Sequence, residues 1–91
     1  MNEQPRNFDA EAATWDENPR RTQMVADIFN TLQQEVPLHR DMKVLDFGCG
    51  TGTLAMYLAP LVDFITGADT SRGMLDVFEK KVTAQSLNTV E

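Results

Sequence analysis

The residue pattern predicts the opening of an α/β protein with a parallel, doubly wound sheet. Two short, mostly apolar runs at 43–47 and 63–68 read as strands. Each is followed by a run of apolar residues at helical spacing. A loop with three glycines in five residues, GCGTG at 48–52, joins the first strand to its helix. Alternating strands and helices imply parallel strands linked by right-handed crossovers.

The elements follow in order. Residues 1–17 are polar, and FDAEAATW at 8–15 reads as a short helix with Phe8, Ala12 and Trp15 on one face. Trp15 reads as packing in preference to ligand contact. Asn18 is a good N-cap and Pro19 suits the first helical position. Met24, Val25, Ile28, Phe29, Leu32 and Val36 then recur at helical spacing, and Pro37 stops the helix. An amphipathic helix is expected over 19–35. Arg20 and Arg21 read as a solvated pair near its start, where they oppose the helix dipole. Residues 38–42 form a connector, with His39 at the surface.

The first strand, KVLDF, is mostly apolar, as a parallel strand covered on both faces should be. After the glycine loop a helix is expected over 53–61, with Leu54, Ala55, Leu58 and Leu61 on one side and Pro60 near its end. The second strand ends at Asp69. Ser71 can cap the last helix, whose apolar face is Met74, Leu75, Phe78 and Val82. Lys80 and Lys81 fall in its latter part and suit the dipole. Met24, Met56 and Met74 read as core. Residues 83–91 are polar except for Leu87 and Val90.

Bulk properties bound the function. A chain of 91 residues allows one domain at most. The apolar content of 42% and charged content of 24% fit an ordered globular protein and exclude disorder. A net charge of −6 argues against nucleic acid and against anionic membrane as partners. The single cysteine, Cys49, forms no internal disulfide and fits the cytoplasm. One cysteine and one histidine exclude a Cys/His zinc site, so no metal is expected. The apolar runs are too short for a membrane helix, and residues 1–5 lack the apolar stretch of a signal peptide.

The glycine loop sits at a strand-to-helix turn, where a ligand can approach the backbone and helix amides are available as donors. It is no triphosphate loop, because no lysine stands near the turn. It also misses the dinucleotide fingerprint, since the position for the third glycine is Thr53. Asp46, two residues before Gly48, would repel a pyrophosphate and attract an ammonium or sulfonium. Asp69 lies 19 residues after Gly50, at the end of the next strand. That is the place for an acid accepting both ribose hydroxyls of a nucleoside. The constellation reads as a site for a nucleoside with a cationic amino-acid tail. Cys49 reads as an inert small residue, having no base at motif spacing.

VLDFGCGTG at 44–52 resembles motif I of the class I S-adenosylmethionine-dependent methyltransferases, and GADTSRGML at 67–75 resembles their second motif. The opening FD…A…WDENPR at 8–20 resembles small-molecule members of the ubiquinone/menaquinone-biosynthesis type. The resemblance implies S-adenosyl-L-methionine as cofactor and an unidentified small-molecule methyl acceptor. By position it implies a cofactor site made of Asp46, Gly48, Cys49, Gly50, Thr51, Gly52, Asp69, Thr70 and Met74. Asp46, Gly48 and Gly50 would face the methionine part, with Cys49 and Thr51 contributing mainly backbone. Asp69 would hold the ribose and Thr70 would lie against the adenine. Trp15 would be placed to close over the methionine end.

The resemblance also implies a Rossmann-like doubly wound parallel sheet that is incomplete here, with the first two strands and their flanking helices. Residues 1–42 are the expected N-terminal helical segment, and residues 43–91 the cofactor-binding βαβα unit of one domain. The family's acceptor region and its later acidic positions lie beyond residue 91, so no catalytic residue is named. A fragment with an unpaired sheet edge is expected to be marginally stable or to self-associate. The alternative is a non-catalytic cofactor-binding or interaction module completed by a second chain. An NAD-dependent oxidoreductase ranks third, because Asp46 and Thr53 both oppose it.

Overall fold

The computed structural model describes residues 7–85 and 87–90. Residues 1–5, which the sequence reading took as lacking a leader, lie outside them. The elements are α1 (Phe8–Glu11), α2 (Pro19–Glu35), β1 (Lys43–Phe47), α3 (Thr53–Leu58), β2 (Phe64–Ala68) and α4 (Arg72–Ala84). Short 3-10 segments occupy Ala12–Glu17 and Ala59–Leu61.

The helix ends follow local chemistry. Asn18 Oδ1 accepts from the amides of Arg20 (2.9 Å) and Arg21 (3.4 Å), and Pro19 fills the first helical position. The helix stops at Glu35, and Val36 is extended ahead of Pro37. The α-helical part of α3 is shorter than the 53–61 expected. It tightens to a 3-10 turn at Ala59, because Pro60 has no amide to donate back along the helix. Over 8–17 the single short helix expected is an α-turn followed by a 3-10 turn.

β1 and β2 pair in parallel, from Lys43↔Phe64 to Phe47↔Ala68. On its other edge β2 receives a further strand-like contact, the parallel bridge Ile65↔Val90, with Ile65 N donating to Thr89 O at 2.9 Å. Among the described residues nothing pairs with the other edge of β1.

The core is one cluster of Ala55, Leu58, Ala59, Val62, Ile65, Phe78 and Val90, all buried. Phe78 of α4 lies against backbone: a Cβ on Gly52 would come 2.2 Å from its ring, and one on Gly67 would come 2.3 Å from it. Both glycines are therefore packing residues for one aromatic ring.

Two expectations about burial fail. Met24 is 56% exposed, so the apolar stripe of α2 is only partly covered. Leu45 and Phe47, on one face of β1, are 64% and 86% exposed. Only the Val44 and Asp46 face is covered, so β1 shows the alternation of a one-sided strand. No helix among the described residues is long and apolar enough to cross a membrane.

Candidate functional site

A cleft of about 480 Å³ opens at the carboxyl ends of the two strands, lined by Phe8, Trp15, Phe47, Gly48, Gly50, Ala68, Asp69, Thr70 and Met74. This is where open parallel sheets place their ligands. Its volume lies within the small-molecule range of roughly 300–1,000 Å³.

The glycine loop is held in shape by β2. Gly48 N and Cys49 N both donate to Ala68 O, at 2.6 and 3.0 Å. Gly50 N donates to Asp69 Oδ2 at 2.8 Å. Gly48, Gly50 and Gly52 have φ of 75°, 57° and 82°, the left-handed region that side chains avoid. A Cβ on Gly48 or Gly50 would meet nothing within 4 Å. Their bareness leaves the cleft open, whereas that of Gly52 admits Phe78.

Asp69 is the buttress of the site. One oxygen takes the Gly50 amide, and the other takes the Ser71 amide at 2.8 Å. Each oxygen keeps acceptor capacity toward the cleft. Ser71 is the N-cap of α4, its Oγ accepting from Met74 N at 3.2 Å. The side-chain cap of α4 is thus Ser71 and not Asp69.

Asp46 is placed differently. Its carboxylate lies on the covered face of β1 and does not line the cleft. Its Oδ2 is buried, and among the described residues it has no hydrogen-bond partner. Burial, and then the charge of Asp69, push its pKa above the ordinary aspartate value. The same influences act on Cys49: burial, then Asp46 and Asp69, raise its thiol to about 11. At that value the thiol is held in its protonated, weakly nucleophilic form at neutral pH.

The nine expected cofactor-site positions thus separate. Gly48, Gly50, Asp69, Thr70 and Met74 line the cleft. Cys49, Thr51 and Gly52 do not; Thr51 and Gly52 are buried behind the loop. The Thr51 side chain has a role of its own, beside any backbone contact. Its Oγ donates to Asp16 Oδ1 at 2.7 Å.

The N-terminal segment supplies contacts that the sequence did not signal, among them those of Phe8, Asp9, Asp16 and Arg21. Phe8 and Trp15 line the cleft, with ring centroids 5.8 Å apart in an edge contact. Arg21 is no free solvated cation. Its guanidinium stacks 3.6 Å from the Trp15 ring centroid and pairs with Glu11 at 3.8 Å. Arg20 remains exposed, and so does His39. Asp9 Oδ1 accepts from Ser71 Oγ and from Gly73 N, both at 2.6 Å, which adds a second cap to α4. Asp16 pairs with Lys81 at 2.6 Å. Lys81 therefore does more than complement the helix dipole. No group of His, Cys, Asp and Glu suited to a metal occurs among the described residues.

A glycine loop and an acid at the ends of adjacent parallel strands define a Rossmann-like ligand-binding α/β protein. A family model described as a methyltransferase domain matches residues 44–91, more than half of the chain, and the chain belongs to that methyltransferase family. An uncharacterized methyltransferase of Schizosaccharomyces pombe is 45% identical over 40 residues, covering 44% of this chain and 14% of its own length. A protein of Geobacillus sp. (strain WCH70) named as a methyltransferase is 45% identical over 49 residues, covering 54% of this chain and 19% of its own. The crystal structure of an S-adenosyl-L-methionine-dependent methyltransferase from Methanococcus maripaludis superposes with a TM-score of 0.76 at 24% identity. That match covers 100% of this chain and 43% of the other, and it shows the shared fold. The matched stretches thus span less than a fifth of the length of these two curated relatives.

Proposed function

We propose that this chain forms the cofactor-binding part of an S-adenosyl-L-methionine-dependent methyltransferase acting on a small-molecule acceptor. The observation that carries the reading is the cleft at the strand ends, where Gly48, Gly50 and Asp69 meet. The donor set fits the cofactor. Burial, and then the charge of Asp69, raise the pKa of Asp46, and a cation bound in the cleft would counter that rise through space. The bare Gly48 and Gly50 backbones admit a ligand at close range.

Asp69 would accept the ribose hydroxyls with the capacity left by its two backbone amides. Thr70 and Met74 would flank the adenine, with Phe8 and Trp15 forming the aromatic wall. Cys49, Thr51 and Gly52 would shape the loop from behind. When bound, the cofactor supplies a methyl group already activated by its sulfonium charge, so the protein's task is placement. Asp69, the carboxylate on the cleft wall among the described residues, is committed to backbone amides, and no general base is assigned. The net charge of −6 favours a small-molecule acceptor over nucleic acid, and the single cysteine suits the cytoplasm.

Calorimetric titration with S-adenosylhomocysteine tests the site. Asp69→Ala should lose at least about tenfold in affinity, as expected when a hydrogen-bonded charge is removed. No binding by the unaltered chain, or wild-type affinity in a folded Asp69→Ala, would refute the assignment.

The bare face of β1 favours a second property, self-association. Leu45 and Phe47 are exposed together beside a strand edge that has no partner among the described residues. Sedimentation velocity should show concentration-dependent association that Leu45→Glu reduces. A monomer at all concentrations would exclude it.

A further inference from the structure

One cluster of polar side chains lies outside the cleft, on the far side of the glycine loop. Asp16 stands at its centre. Its Oδ1 accepts from Thr51 Oγ at 2.7 Å and from Thr53 Oγ at 3.2 Å, and its Oδ2 pairs with Lys81 Nζ at 2.6 Å. Lys81 Nζ also reaches both threonine hydroxyls, at 3.3 and 3.4 Å. One carboxylate therefore grips the glycine loop, the start of α3 and the last turn of α4. Thr51 is only 2% exposed, so without Asp16 its hydroxyl falls back on Thr53 Oγ, a weaker acceptor 3.4 Å away.

The residue before Asp16 is Trp15, whose ring lines the cleft. Both belong to the 3-10 segment Ala12–Glu17, so fixing Asp16 fixes its neighbour. Arg21 holds the Trp15 ring by stacking on it. Near the other end of the same stretch, Asp9 is tied to the start of α4 through Ser71 and Gly73. Phe8 and Trp15, the two aromatic side chains this stretch contributes to the cleft, thus each adjoin an anchored carboxylate.

We propose that Asp16 is a positioning residue: its latch onto Thr51, Thr53 and Lys81 sets the place of Trp15 on the cleft wall and thereby the affinity for the adenosyl ligand. This rests on the cofactor reading above and adds a residue to it that touches no ligand. A solvent-exposed ion pair contributes little. This one differs in having both partners partly covered, at 35% and 25% side-chain exposure, and two hydroxyls completing it. Burial by itself would raise the Asp16 pKa. The Lys81 and threonine contacts outweigh it and hold the carboxyl below the ordinary value, so the latch is charged at neutral pH.

Trp15 is the only tryptophan of the chain, so its fluorescence reads the latch directly. Asp16→Ala should increase acrylamide quenching of Trp15 and weaken S-adenosylhomocysteine binding about tenfold, a typical coupling between residues in contact. Asp16→Glu should restore part of both. The double variant Asp16→Ala/Trp15→Ala should bind no more weakly than Trp15→Ala alone, because Asp16 acts through Trp15. Unchanged quenching and affinity in Asp16→Ala would overturn the proposal. So would a lowered melting temperature with affinity intact, which is the mark of a purely structural pair. Failure of the unaltered chain to bind removes the cofactor reading and this proposal together. Normal binding that Asp69→Ala abolishes and Asp16→Ala leaves alone removes this proposal only.

Discussion

The βαβα unit and the N-terminal segment are held by different forces. The unit is held by packing: Ala55, Leu58, Ile65 and Phe78 are all less than 5% exposed. In the segment over 8–17 only Ala12 is buried. What fixes it is a set of carboxylates, Asp9 at one end of α4 and Asp16 at the other, with Arg21 stacked on Trp15. Packing is non-directional and tolerates no voids. Charge-assisted hydrogen bonds are directional and respond to pH and salt. A scaffold of the first kind and a cover of the second kind can therefore be perturbed separately.

The largest effect should come from the scaffold. Phe78→Ala would empty the space against Gly52 and Gly67 and cost about 3–5 kcal/mol of folding stability. Chemical denaturation measures it, and a loss under about 1 kcal/mol would mean that the core does not centre on this ring. A smaller and more selective change is Gly73→Ala. Its Cβ would come 2.8 Å from the Asp9 backbone, so the segment must lift. Within α4 itself alanine is the better helix former by about 1 kcal/mol. Trp15 should become more accessible to quencher while helical circular dichroism is kept. Loss of both signals together would show that scaffold and cover are one unit.

The smallest effect is with acid, and its sign differs between the two regions. Asp9 is held below the ordinary value by the Ser71 hydroxyl and the Gly73 amide, and Asp16 is depressed as well. A depressed carboxyl stabilises fully above its unfolded value of 3.8, and that contribution fades as pH falls through the lower folded value. Asp46 is raised, so its ionised form costs stability at neutral pH, and the cost disappears as pH falls toward 3.8. Acidification should therefore loosen the cover below about pH 4 while relieving the loop. Trp15 emission followed against pH should change there, and Asp16→Asn should remove most of the change. A transition near neutral pH would contradict the assignment.

The same division governs what could be read from the sequence. Asn18, Pro19 and Pro37 act on their own neighbours, and the limits of α2 were legible from them. The glycine spacing and Asp69 were legible because a strand-end turn leaves a local signature. Asp9 and Asp16 were not. Their partners lie 62 and 35 residues away, and no periodicity connects them. A faint sign existed in the threonines at 51 and 53, hydroxyls beside a tight turn in want of an acceptor. Helical periodicity marked Met24 as apolar-faced without saying that anything would cover it. Asp46 was expected to face the ligand, yet strand alternation turned it to the side opposite Phe47.

The masked thiol of Cys49 has a practical use. With a pKa of about 11, only roughly one molecule in ten thousand is thiolate at pH 7 while the loop is closed. Alkylation by iodoacetamide would then speed up when the loop opens, because the partly covered sulfur escapes the burial and the two carboxylates that raise its pKa. The rate of labelling becomes a clock of glycine-loop opening, read at a single sulfur by mass spectrometry, without a dye or an added probe.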